Sequence, residues 1–128
     1  MLVYKQYNQE QLDLQYNNRY HVPDFETSLT SWETLSRQAE KKYRVIKDIP
    51  YGTVTRESLD VIPSPTPGSK TLIFIHGGYW QMFDKSSFHF VAGAFARYGI
   101  TTVLLNYPLA PTASIDQIVL SCSKAVHW

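Results

Sequence analysis

Thr71-Leu72-Ile73-Phe74-Ile75-His76-Gly77-Gly78-Tyr79-Trp80 is the stretch on which the reading of this chain turns. Its first five residues include four that are strongly apolar, rich in β-branched and aromatic side chains, as in a parallel strand buried on both faces. The two glycines after His76 stop that strand. They let the backbone turn sharply where no Cβ stands in the way, so its N–H groups can be aimed into a crevice. Loops at the carboxyl ends of strands in open α/β sheets are where ligands bind. N–H groups fixed there can stabilise the negative oxygen that develops when an acyl carbonyl is attacked.

Reading outward from this stretch gives an alternation of strands and helices. Downstream, Asp84 can cap a helix whose inner face is Phe88, Val91, Ala92, Phe95 and Ala96, ending at Gly99. Ile100 to Leu105 is another apolar strand, stopped by Asn106-Tyr107-Pro108. Ser114 and Gln117 form a capping box, with Ile115, Ile118, Val119, Cys122 and Val126 as the apolar stripe behind it. Upstream, Glu57 to Ile62 and Tyr43 to Tyr51 read as two strands forming a hairpin, and Pro63 to Gly68 as the loop after them. Thr30 and Glu33 suggest a second capping box, predicting a helix over 31–43 with Trp32, Leu35, Ala39 and Tyr43 on one face. Residues 1–30 are polar and tyrosine-rich, closing on the turn-like His21-Val22-Pro23-Asp24. This order predicts an α/β fold with a mostly parallel sheet, divided into an N-terminal arm and helix (1–44) and a core (45–128).

Composition narrows the class of function. Twelve Lys and Arg stand against eleven Asp and Glu, so a net charge of +1 gives no electrostatic reason to expect nucleic acid or an anionic membrane. Nine of those eleven acids lie in residues 1–60, leaving the second half the apolar part. Cys122 is the single cysteine, which excludes an intrachain disulfide or a cysteine-built zinc site. His21 and His89 show no metal-ligand spacing to a carboxylate, so no metal or cofactor is expected. No apolar run reaches the length of a signal peptide or a membrane span, and a soluble cytoplasmic protein is expected.

His76-Gly77-Gly78-Tyr79-Trp80-Gln81 resembles the signature of the arylformamidase (kynurenine formamidase) branch of the α/β-hydrolases, related to the hormone-sensitive-lipase-like esterases. Asp48-Ile49-Pro50-Tyr51-Gly52 and Ser58-Leu59-Asp60-Val61 resemble the first two strands of that branch. Tyr107-Pro108-Leu109-Ala110-Pro111 resembles the segment after its fourth, and Tyr16-Asn17-Asn18-Arg19 with Val22-Pro23-Asp24 its N-terminal arm. The likeness covers nearly the whole chain and about the front half of a family member.

The resemblance implies a serine hydrolase acting on an aryl formamide or a small carboxylic ester. It casts the backbone N–H groups of Gly78 and Tyr79 as oxyanion donors, with Gly77 and His76 shaping the loop. Tyr79 replaces the third glycine of the lipase-like loop, and Trp80 beside it could wall an aromatic group. Asn17 and Arg19 are further candidates for substrate contact. No serine here lies in Gly-x-Ser-x-Gly, so the resemblance places the serine, acid and histidine of the triad beyond Trp128. The 128 residues are about half of the roughly 200–250 that single-domain α/β proteins commonly need. In that topology Thr71–Ile75 becomes an open edge, able to self-associate or to pair with a C-terminal half. Two other classes stay open: a non-catalytic ligand- or partner-binding module, and a small self-contained α/β domain closed by dimerisation.

Overall fold

The computed structural model describes residues 1–128, which form two compact units, Met1–Ser31 and Trp32–Trp128. In the first, helix α1 spans Gln9–Tyr16 and a single 3₁₀ turn spans Asn18–His21. Asn8 caps α1 in a reciprocal box with Gln11. The polar composition of this segment hid its helix, because a helix without an apolar stripe carries no period to read.

Helix α2 runs over Phe25–Lys42, more than a turn longer than expected at its start. Thr30 is therefore an interior residue rather than a cap, and its hydroxyl donates to the Glu26 carbonyl at 3.0 Å. Glu33 pairs with Arg37 one turn on instead of closing a capping box. Of the expected inner face, Trp32, Ala39 and Tyr43 pack inward while Leu35 is exposed. Ser36 is buried in its place, its hydroxyl donating to the Ser87 carbonyl at 2.9 Å.

Strands β1 (Ile46–Pro50), β2 (Ser58–Ile62), β3 (Thr71–Ile75) and β4 (Thr101–Leu105) form one sheet in the order β1-β2-β4-β3. β1–β2 and β2–β4 are antiparallel, while β3–β4 is parallel and in register from Thr71 opposite Thr101 to Ile75 opposite Leu105. Alternation along β2 sends Leu59 and Val61 to one face and Asp60 and Ile62 to the other. Leu59 and Leu105 join Ile118 and Ala125 of α4 (Ile115–His127), while Ile62 and Leu104 join Phe88 and Ala92 on the opposite face.

Two further expectations are corrected here. The helix capped by Asp84 is split into a 3₁₀ turn, Lys85–Phe88, and helix α3, Phe90–Ala96. Phe88 and Ala92 are buried, but Val91, Phe95 and Ala96 are only partly so. Strand β3 is not buried on both faces. Leu72 and Phe74 are half-buried, while Thr71, Ile73 and Ile75 are exposed, because α4 lies over β2 and β4 and stops short of β3.

The stripe on α4 is likewise only partly used. Ile118, Ser121 and Ala125 meet the sheet and Cys122 is half-buried, whereas Ile115, Val119 and Val126 face outward. No helix is long and apolar enough to cross a membrane.

Candidate active site

His76 leaves the end of β3 and is held on three sides. Its ring stacks between Phe88, with centroids 5.7 Å apart, and Tyr107, at 4.6 Å. The Tyr107 hydroxyl donates to the His76 carbonyl at 2.5 Å, and His76 Nδ1 lies 2.7 Å from the Gly77 carbonyl. A carbonyl can only accept, so Nδ1 carries the proton. Burial pushes the His76 pKa below the ordinary histidine value and outweighs the opposing contact with Gly77. A neutral ring fixed in this way shapes the loop and is poorly placed to act as a base.

The next residues turn in a sparsely populated conformation. Gly78 has φ +120°, Tyr79 +56° and Trp80 +60°, and Phe83 returns to +77°. Only glycine tolerates the first of these readily, and a Cβ at Gly78 would stand 2.4 Å from the Met82 carbonyl oxygen. Gly77 has open space where its Cβ would lie. The Gly78 carbonyl accepts from the N–H groups of both Gln81 and Met82 at 3.0 Å, closing the turn. The N–H groups of Gly77, Gly78 and Tyr79 take no part in that backbone bonding. A strained loop of this kind persists only where its surroundings hold it.

Those surroundings are Arg56 and Asn106. Arg56 donates to the carbonyls of Phe83 at 2.7 Å and Tyr107 at 3.1 Å, and its guanidinium lies 3.4 Å from Asp84. Asn106, at the end of β4, donates to Asp84 at 2.6 Å and accepts from the Lys85 N–H at 2.8 Å. Burial would raise the Asp84 pKa, but hydrogen bonds from Ser86 and Asn106 outweigh it and hold the carboxyl below its ordinary value. On the near side, the Ala110 N–H donates to the Trp80 carbonyl at 2.8 Å.

His76, Gly77, Gly78, Tyr79 and Trp80 together border a cavity of about 510 Å³ completed by Ile75, Tyr107, Ile118, Val119 and Cys122. Thus all five candidate loop residues are brought to one place. Asn17 and Arg19 lie in the other compact unit, Met1–Ser31. Asn17 accepts from the Arg19 N–H at 3.3 Å, and Arg19 lies over the Phe25 ring at 5.1 Å.

Sequence reading missed the framing role of Tyr107, Arg56 and Asn106, which no local spacing links to the loop. It also missed the contribution of α4, although the stripe containing Ile118, Val119 and Cys122 was visible. α4 carries three nucleophile-type side chains: Ser123 is exposed and does not line the cavity, and the other two are not poised for attack. Ser121 is buried against Tyr51 and Glu57, and burial pushes the Cys122 thiol above its ordinary pKa.

A second buried polar cluster lies on the other face of the sheet. His89 Nε2 is 2.7 Å from Asp60, its Nδ1 2.7 Å from Glu40, and Lys85 Nζ 3.2 Å from Asp60. No group of three or more histidine, cysteine or carboxylate side chains is arranged to hold a metal ion.

No family model matches the chain. It is 28% identical to a kynurenine formamidase of Danio rerio over 98% of this chain and 46% of that protein, and 26% identical to one of Drosophila melanogaster over 91% and 43%. The chain thus spans just under half the length of these relatives. Its fold superposes on a crystal structure named as a proposed thioesterase of Silicibacter with a TM-score of 0.85, at 25% identity, over 91% of this chain and 45% of that one. Esterase B of Lactobacillus rhamnosis shares the fold at TM-score 0.61 and 16% identity, over 80% of this chain and 36% of that one. The chain thus has the α/β-hydrolase fold of the N-terminal portion of the proteins it superposes on.

Proposed function

We propose that this N-terminal portion of an α/β-hydrolase supplies the oxyanion-hole half of a serine hydrolase that cleaves an aryl formamide, such as N-formylkynurenine, or a small carboxylic ester. The observation that carries this reading is the left-handed turn at Gly78–Trp80, set at the carboxyl end of β3 beside an apolar cavity. The backbone N–H groups of Gly78 and Tyr79 receive the oxygen that becomes anionic as the acyl carbonyl is attacked, and no step of theirs requires a proton to move. Tyr79 and Trp80 offer aromatic surface to the substrate. His76 and Gly77 fix the turn. The similarity to kynurenine formamidases supports the formamide, and the esterase neighbours share only the fold. None of the serines in these 128 residues lies in Gly-x-Ser-x-Gly, and the chain by itself is expected to turn over neither N-formylkynurenine nor an activated aryl ester above a buffer control.

The test is a chimaera in which residues 1–128 replace the matching portion of the Danio rerio enzyme. Hydrolysis of N-formylkynurenine is expected, with kcat falling by at least roughly 10²–10³ in Gly78→Pro, which removes one oxyanion donor and also displaces the loop from φ +120°; Gly78→Ala, which keeps the N–H but meets the same Met82 carbonyl, reports the share due to distortion. Gly77→Ala, which has room for its methyl group, is the control and keeps most of the turnover. A folded Gly78→Pro chimaera with unchanged kcat would remove Gly78 from the oxyanion hole.

A further inference from the structure

Asp60 is a carboxylate on a face of the sheet that otherwise packs apolar side chains. It alternates with Ile62 toward the core of Ile62, Phe88, Ala92 and Leu104, and is 1% exposed. Burial works against its charge, but the groups that donate to it hold it ionised. A carboxylate only accepts, so His89 Nε2 donates to it at 2.7 Å. The Asp48 N–H donates at 2.8 Å, and the Lys85 ammonium lies 3.2 Å away. Charges buried in this way add little stability over well-packed apolar side chains, because desolvation offsets their attraction; what they can fix is one arrangement among several. Here that arrangement concerns the 3₁₀ turn Lys85–Phe88, since Lys85 opens it and His89 directly follows it. Asp60 therefore grips the turn at both ends. Phe88, its last residue, presents its ring to His76, with centroids 5.7 Å apart and planes 6° from parallel.

We propose that Asp60 is a positioning residue for the oxyanion loop, acting through Lys85 and His89 to hold Phe88 against His76 and so to fix the N–H groups that follow. The proposal rests on the role given above to Gly78 and Tyr79. Asp60 is sealed from substrate and moves no proton, so its part is geometric. A tilt of the turn carries the Phe88 ring with it, and the His76 ring stacked on it begins the loop. Misplacement of a catalytic group by about 1 Å can cost roughly 10²-fold in rate.

Two measurements test this. In the 128-residue chain, the amide resonances of Gly78 and Tyr79 and the ring resonances of His76 report the loop directly. Asp60→Asn, which keeps an acceptor for the Asp48 N–H, is expected to shift and broaden them well below its melting temperature. His89→Asn, which withdraws the donor from Asp60, gives the same signature. His89→Gln, whose amide reaches the Nε2 position, restores the native spectrum. Val61→Ala, next to Asp60 but on the opposite face of β2, lowers the melting temperature and leaves the loop resonances in place. In the chimaera, Asp60→Asn and His89→Asn lower kcat by up to about 10²-fold with KM little changed, while His89→Gln and Val61→Ala keep it. Native loop resonances in folded Asp60→Asn would overturn the proposal, as would unchanged kcat in an active chimaera carrying it. Equal effects of His89→Asn and His89→Gln would overturn it too, and that pair decides if Asp60→Asn does not fold. Displaced loop resonances alongside a chimaera that hydrolyses nothing would uphold the role of Asp60 and sink the oxyanion reading instead.

Discussion

At the scale of single residues, the loop after β3 separates two glycines that look alike in the sequence. Gly78 sits at φ +120° with the Met82 carbonyl in the path of any Cβ, whereas Gly77 has free space. Gly78→Ala is therefore expected to destabilise the chain by about 1–3 kcal/mol through strain, and Gly77→Ala by far less. Thermal melts of the two variants side by side check this, and equal melting temperatures would refute the conformational argument. Tyr107 supplies the second residue-scale prediction. Its hydroxyl serves the His76 carbonyl, and Tyr107→Phe leaves that acceptor without its donor at an expected loss of about 1–3 kcal/mol. Amide hydrogen exchange should then quicken at Gly77–Met82 before it does in β2 or β4. Uniform quickening would show that the bond holds the fold as a whole rather than the loop.

At the scale of elements, capping-box spacing marked the start of α4 but not that of α2, although both were read with an apolar stripe behind them. The Ser114–Gln117 box at the start of α4 is present, with the Gln117 side chain reaching back to the Ser114 N–H at 2.8 Å. Thr30 and Glu33 have the same spacing yet lie inside α2, since the chain was already helical from Phe25. Ser114→Ala should thus lower stability by about 0.5–2 kcal/mol, while Thr30→Ala, at a helix-interior position where the hydroxyl donates to the Glu26 carbonyl and caps nothing, should change it by less. Chemical denaturation of both variants decides between these positions. If Thr30→Ala proved the more damaging, Thr30 would have to matter to α2 in some way other than capping.

At the scale of the whole molecule, buried titratable groups on both faces of the sheet make stability depend on pH. Burial holds His76 below its ordinary 6.5, so on acidification the unfolded chain binds that proton before the folded chain does. Stability is then full above 6.5 and declines as pH drops below it. Lys124, with help from the Val54 N–H and Ser121, holds Glu57 below 4.5 against its burial. Burial opposes the ionised form of Asp60, but His89, the Asp48 N–H and Lys85 outweigh it and hold that carboxyl below 3.8. These carboxylates lose their contribution in the same direction at lower pH. Melting temperatures measured from pH 8 to 3 should fall in two stages, the first absent in His76→Gln. A first stage that survives in His76→Gln would assign it to another group.

The sequence alone determined the strand–helix order from α2 onward and the turn at Gly77–Gly78, because each rests on local signals of period, backbone freedom and punctuation, and a helix between β3 and β4 made their parallel pairing the expected one. It also carried the likeness to kynurenine formamidases, on residues contiguous in the chain. It could not show that Arg56, Asn106 and Tyr107 hold the loop, since they reach it across 21 to 31 positions through bonds that exist only once β2, β4 and the loop are assembled. Nor could it show that His89 bridges Asp60 and Glu40 in the interior. The exposure of Ile73 and Ile75 is tertiary in the same sense. An apolar run states what a strand can bury, and only the placing of α4 over β2 and β4 decides which of its faces is covered.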